Sequence, residues 1–222
     1  MTFKTIDGIR YSIYSTYAKV LGFAKNGFQE HLLIPAFVEN VPVHIIHKSA
    51  FAYTGIKSLK IPSTIIYIEN SAFQHCLSLE TVEEYLVGET LLQKKFQILD
   101  FAFEDCPKLR EVWMLRNVSL VANCAFKDCP SLTIMKSRFS KIRKDAFANC
   151  PKLTEIKLEQ DGYIATGSIE NSGIRCVTVG KKCNITQPVK KYIINEQVKL
   201  VCPEDSNLID LVYIGAQIVI VN

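Results

Sequence analysis

The 222-residue chain has no uninterrupted run of 18 apolar residues, so no segment reads as a membrane-spanning helix. It has no block of five or six like charges either. Its 26 basic residues exceed its 22 acidic ones by only four, too dilute an excess to mark a nucleic-acid-binding protein. The first 20 residues, MTFKTIDGIRYSIYSTYAKV, lack the continuous apolar stretch of a signal peptide. Catalytic signatures are missing as well: there is no G-x-S-x-G, no phosphate-cradling glycine loop and no H-E-x-x-H. The eight cysteines form no C-x-x-C pair of the kind a closed zinc site uses. Of the four histidines, His44 and His47 are three apart, which on a strand sets them on opposite faces. The expectation is a protein that is not an enzyme, carries no metal or small-molecule cofactor, and binds no nucleic acid. At 48% apolar and 22% charged, it can nevertheless bury a sizeable core.

What the chain does contain is a repeat. An aromatic anchor recurs at Phe51, Phe73, Phe103, Phe126 and Phe147, and Ile169 continues the series, with steps of 22, 30, 23, 21 and 22 residues. Five residues before each anchor stands an aliphatic residue: Ile46, Ile68, Ile98, Val121, Ile142 and Ile164. One residue before it stands a small one: Ala50, Ala72, Ala102, Ala125, Ala146 and Ser168. Three residues after it come Thr54, Cys76, Cys106, Cys129, Cys150 and Ser172. The following segment alternates as L-x-x-I-x-L, the period of a short strand.

A unit of this length cannot bury its own apolar face, and stacking on its neighbours closes the core. The reading is therefore a β-rich solenoid of short parallel strands, with a single helical or 3-10 turn on the convex side of each layer. Ser49, Ser71 and Asp145 suit the start of that turn. Gly55 and Gly173, which follow Thr54 and Ser172 in the shorter first and last repeats, suggest a tight turn at positive φ.

This pattern resembles the BspA-like leucine-rich-repeat family, with its I-x-x-x-AF-x-x-C-x-x-L-x-x-I-x-(I/L)P unit. The opening IDGIRYSIYSTYAKVLGF is similar to the β-hairpin that those proteins place ahead of the repeats. The expected organisation is one leucine-rich-repeat domain over 1–222. It comprises an N-terminal β cap over 1–40, about six repeats over 41–180, and degenerate repeats with a C-terminal cap over 181–222. The resemblance implies a non-enzymatic protein-binding module, an adhesin-like protein at the cell surface, with a protein as its partner. Two alternatives stay open: an intracellular interaction scaffold, and a carbohydrate-binding or carbohydrate-active repeat protein.

The recurrent cysteine is a packing residue in this reading. Thr54 and Ser172 replace it in the end repeats and cannot be disulfide halves, so the column requires a small side chain. The candidate binding face is formed by residues eight and ten after each anchor, which should point outward from the strands: Glu111, Trp113, Ile134, Lys136, Glu155 and Lys157. Trp113 is the only tryptophan, and an outward Trp among apolar and charged neighbours has the composition of a binding hot spot. The 30-residue step places an insertion in Glu83–Gln97. Tyr85, Leu86, Leu91 and Leu92 are then apolar residues of an exposed loop, or of a small hairpin folded back around Gly88–Glu89.

Overall fold

The computed structural model describes residues 1–88, 95–115, 117–195, 198–203, 207 and 217–221. The chain opens with an antiparallel meander of β1 (Thr2–Ile6), β2 (Ile9–Ile13) and β3 (Ala18–Phe23). Asp7 and Gly8, both at positive φ, join β1 to β2 with the two-residue turn that matches strand twist. Beyond β3 every wall of the molecule is built of parallel strands, apart from the antiparallel β5–β6 pair. Chain order runs β4 (His31–Leu33), β5 (Phe37–Val38), β6 (Val41–Ile46), β7 (Ser58–Pro62), β8 (Tyr67–Ile68), β9 (Thr81–Tyr85) and β10 (Phe96–Ile98). It continues through β11 (Glu111–Trp113), β12 (Val118–Val121), β13 (Ile134–Lys136), β14 (Phe139–Ile142), β15 (Glu155–Ile164), β16 (Cys176–Thr178) and β17 (Asn184–Ile185). The last elements are α1 (Gln187–Asn195), β18 (Lys199–Pro203) and β19 (Gln217–Val221).

Each layer has three walls. The front sheet holds β4, β7, β9, β11 and β13 side by side, and the back sheet holds β3, β6, β8, β10, β12 and β14. β15 belongs to both walls: its first residues pair with β16 and its last with β14 and β17. The third wall is the turn that carries the anchor. All five anchor phenylalanines are fully buried and Ile169 is 1% exposed. Their rings stack from layer to layer, 5.4 Å apart for Phe51–Phe73, 5.1 Å for Phe73–Phe103 and Phe103–Phe126, and 5.5 Å for Phe126–Phe147. Phe23 closes the column at the N-terminal end, edge-on to Phe51. The aliphatic column of the back sheet, Ile46 to Ile164, is equally dry.

The turn wall is a series of tandem β-turns. Bonds from residue i+3 to residue i recur, as in Ala72 to Glu69, Gln74 to Ser71 and Cys76 to Phe73. This is the bond spacing of a 3-10 turn, but no helix results, because left-handed residues interrupt it. Two before the anchor stand Ser49, Ser71, Phe101, Cys124, Asp145 and Gly167, all with φ between 53° and 71°. Two after it stand Tyr53, His75, Asp105, Asp128, Asn149 and Asn171, with φ between 52° and 60°. The alternation turns half of the peptide units along the stack. The amides of Phe73 and His75 donate to Ala102 and Glu104 of the next layer, at 2.8 and 2.9 Å, and each layer repeats the pattern. In the Phe51 and Phe73 layers all six turn amides, from two residues before the anchor to three after it, donate to a carbonyl of their own or the next layer, as burial requires. Ser49, Ser71 and Asp145 are thus left-handed turn residues rather than helix caps. Asp, Asn and Ser at these places suit that conformation. Gly55 and Gly173 are not at positive φ; Gly173 is small because a Cβ there would meet the Pro151 carbonyl oxygen at 2.1 Å.

The cysteine column is buried, and each thiol donates to the carbonyl of the preceding layer's anchor. Cys76 donates to Phe51, Cys106 to Phe73, Cys129 to Phe103 and Cys150 to Phe126, at 3.1 to 3.3 Å. Thr54 and Ser172 donate instead to the anchor carbonyl of their own layer, at 2.7 and 2.6 Å. The column therefore selects a small side chain with a donor. Burial pushes the Cys150 thiol up to about 12 and raises Cys129 as well.

At the C-terminal end the strands stay in register, Val177 with Leu200 and Leu200 with Ile218. The turn does not survive: α1 occupies its place. Val189 and Ile193, four apart on one helix face, fill the core there.

Candidate functional site

The front sheet presents two outward columns, because side chains alternate across a strand. Leu59, Val82, Val112, Ile156 and Val177 face the core, while the residues on either side of each face out. Pairing aligns Ser58, Thr81, Glu111 and Ile134 in one column, and Lys60, Glu83, Trp113 and Lys136 in the other. Glu155 and Lys157 extend the same positions into β15, opposite Cys176 and Thr178 of β16. The expected outward residues are thus all on one face, although β13 and β15 are not paired with each other.

Trp113 is half-buried and held in place. Its Nε1 donates to Glu111 Oε2 at 3.0 Å, and Lys136 Nζ sits 3.8 Å over its ring centroid. An ammonium over the indole face is the favourable cation–π arrangement. Ile134 is half-buried beside it, and Leu115 beyond the strand end is 55% exposed. The result is a rigid aromatic platform edged by charge.

Charges along the stack are unevenly arranged. On the N-terminal side of Trp113 they alternate and pair: Glu30 with Lys57 at 2.8 Å, Lys60 with Glu83 at 3.4 Å, and Glu80 with Arg110 at 2.7 Å. The hydrogen bond from Lys57 holds the Glu30 carboxyl below its ordinary range. Beyond Trp113, cations outnumber carboxylates: Lys136, Arg138 and Lys157 line one hollow in which Glu155, 3.8 Å from Lys157, is the only carboxylate among the described residues.

The insertion is narrower than the Glu83–Gln97 segment the repeat alignment suggests. Glu83, Glu84 and Tyr85 complete β9, paired with Lys60, Ile61 and Pro62, and Phe96 and Gln97 begin β10. Tyr85 is a strand residue whose hydroxyl donates to the Ile34 carbonyl at 2.8 Å, so it is not a loop residue. Leu86 is 54% exposed. Leu91 and Leu92, and with them any hairpin at Gly88–Glu89, lie outside the described residues. Glu84 escaped notice in the sequence: it is buried, and its Oε2 accepts the Leu115 amide at 2.8 Å, tying the corner after Trp113 to the layer before. Its only signal is a carboxylate at an inward position of a strand.

Parallel strands stacked in about seven turns around one core define this molecule as a leucine-rich-repeat solenoid. The family model of the BspA type leucine rich repeat region matches residues 44–85 and 89–193, in six copies, which is more than half of the chain. The chain belongs to that family. Among solved structures it is similar to a leucine-rich repeat protein from Bacteroides capillosus, at 20% identity and a TM-score of 0.48, covering 72% of this chain and 99% of that one. It is also similar to one from Bacteroides ovatus, at 18% identity and a TM-score of 0.47, covering 90% and 70%. A third, from T. pallidum, gives 18% identity and a TM-score of 0.49, covering 80% and 71%. No curated protein matches the chain. By family this is a protein-interaction or binding module, of a class of non-enzymatic repeat proteins.

Proposed function

We propose that the chain binds a protein partner on its front sheet, with Trp113 as the anchor, Glu111, Ile134 and Lys136 around it, and Glu155 and Lys157 at the margin. The observation that carries this is the single tryptophan, held half-exposed by Glu111 and Lys136 on a mostly polar face. A pre-oriented aromatic loses little conformational freedom on contact, which is where interfaces concentrate their energy. The adhesin-like role at a cell surface, which the family resemblance favours, is part of the same proposal.

The test is affinity capture followed by purification of the captured partner and titration against native protein and Trp113→Ala. A loss of at least about tenfold in affinity, with a melting midpoint lowered by no more than about 4 °C, is expected for a hot-spot residue. Equal affinities remove the front sheet from consideration. Labelling of intact cells with a membrane-impermeant biotin reagent reads the location, and an unlabelled pool of the native protein rejects the surface role.

A further inference from the structure

The front sheet is broken once. β13 bonds to β11 along one edge and, among the described residues, to no strand along the other. β15 bonds to β16 along Glu155–Lys157, and meets the preceding layer only from Leu158 onward, opposite Phe139. The other two walls stay closed across the same interval. The Phe126 amide donates to the Ala146 carbonyl at 2.8 Å, and Ile142 pairs with Ile164.

The opening coincides with the loss of the corner between front and back strands. That corner spans residues 114–117 after β11, shrinks to Ser137 and Arg138 after β13, and vanishes in β15, where Lys157 runs straight into Leu158. Front strands with corners of unequal length still pair, as β11 does with β13; the pairing is lost only where the corner is absent. Met135 records the consequence. Val82 and Val112, its equivalents, are fully buried and Ile156 is 1% exposed, yet Met135 is only partly covered.

The opening is a cleft of about 360 Å³ floored by Met135 and Ile156, with Lys136, Arg138 and Lys157 around it and Glu155 as its one carboxylate. A second hollow of about 270 Å³ continues past Arg138 and Lys157 to Lys181. No ion pair among the described residues engages Lys136 or Arg138. Apart from the Met135 carbonyl, which accepts the Ser137 amide at 3.2 Å, the facing β13 and β15 edges have no strand against them among the described residues and are a template for another strand; main-chain pairing at such an edge is a recurrent way to take an extended peptide.

We propose that this cleft receives an extended acidic segment of a protein partner, which pairs with the β13 and β15 edges and sets its carboxylates against Lys136, Arg138 and Lys157. This rests on the binding-module reading and specifies the chemistry of what is bound. An anionic glycan matches the charge but has no alternating N–H and C=O groups for the edges, so the observations favour a peptide.

The experiment titrates the native protein with a fluorescein-labelled nonapeptide of alternating Glu and Val. Its comparison ligands are the Lys–Val counterpart, the Glu–Val peptide N-methylated at alternate residues, and a sulfated oligosaccharide. Saturable binding of the Glu–Val peptide alone is expected. The double variant Arg138→Glu, Lys157→Glu should weaken it at least about tenfold, as reversal of facing charges does. The emission of Trp113 should shift as Lys136 is drawn from its ring. The comparison with the N-methylated peptide uses unaltered protein and so does not depend on the variant folding. Equal binding of the N-methylated peptide, preference for the oligosaccharide, or no binding of the Glu–Val peptide overturns the proposal. If a captured partner needs Trp113 but ignores the Arg138, Lys157 reversal, the cleft proposal fails and the front-sheet reading stands.

Discussion

The turn wall and the front sheet are built on the same period yet treat it in opposite ways. On the turn wall, position decides residue type: anchor, small residue and thiol repeat through the layers, and hydrogen bonds tie each layer to the next. On the front sheet only the inward residue is constrained, and the outward pair changes from Ser58 and Lys60 to Glu111 and Trp113 to Glu155 and Lys157. One wall holds the stack together and leaves the other free to vary. Stability and the proposed recognition are thus assigned to different walls, and substitutions should sort by wall.

The largest effect belongs to the turn wall. Phe126→Ala removes a ring stacked between Phe103 and Phe147 and should lower stability by about 3–5 kcal/mol. Chemical denaturation measures it, and a loss below about 1 kcal/mol would break the comparison. Next comes Gly173→Ala, whose added Cβ collides with the Pro151 backbone; overpacking of this kind costs about 1–3 kcal/mol. A neutral outcome there would mean that the adjoining layers yield readily.

Cys129→Ser should cost about 1 kcal/mol or less, because a hydroxyl can keep the bond to the Phe103 carbonyl, as Thr54 and Ser172 do with their own anchors. Thiol labelling sharpens the point. With Cys150 raised to about 12 by burial, very little of it is thiolate at about pH 8.5, so alkylation of Cys150 should stay slow until the pH approaches 12 or the protein unfolds. Half-exposed Cys176 on the front sheet should react first. Mass spectrometry of pulse-alkylated protein gives the order, and early modification of Cys150 would contradict the buried column. A comparably small loss of stability, about 0.5–1 kcal/mol, is expected for Trp113→Ala on the front sheet, the worth of its cation–π contact with Lys136.

The turn wall was legible in the sequence because each layer repeats the same packing demand, so Phe51 through Phe147 and the small residues before them stand out by count alone. The inward and outward alternation of the front sheet followed from strand period. Less visible was the backbone. The left-handed pair in each turn is occupied by residues as different as Tyr53, Phe101, Cys124 and Asn149, and the local signal for a helical cap at Ser49 or Asp145 reads the same as that for a left-handed turn. α1 was hidden for the opposite reason: the repeat fades there, and the spacing of Val189 and Ile193 is too short a pattern to stand alone. The break between β13 and β15 accompanies the loss of a corner, which no single motif encodes.

The 30-residue step from Phe73 to Phe103 has a consequence in polymer terms. The rings at its two ends sit 5.1 Å apart, as close as those of the 23-residue step that follows. Closing a chain of 30 residues rather than 22 adds only about 0.3 kcal/mol of lost entropy, since the penalty grows with the logarithm of length. A turn of this molecule can therefore lengthen almost without penalty, provided the added residues enter after the front strand has been laid down. That corner is where the long turn carries its surplus and where β15 carries none, so new sequence enters this stack next to the face proposed for a partner.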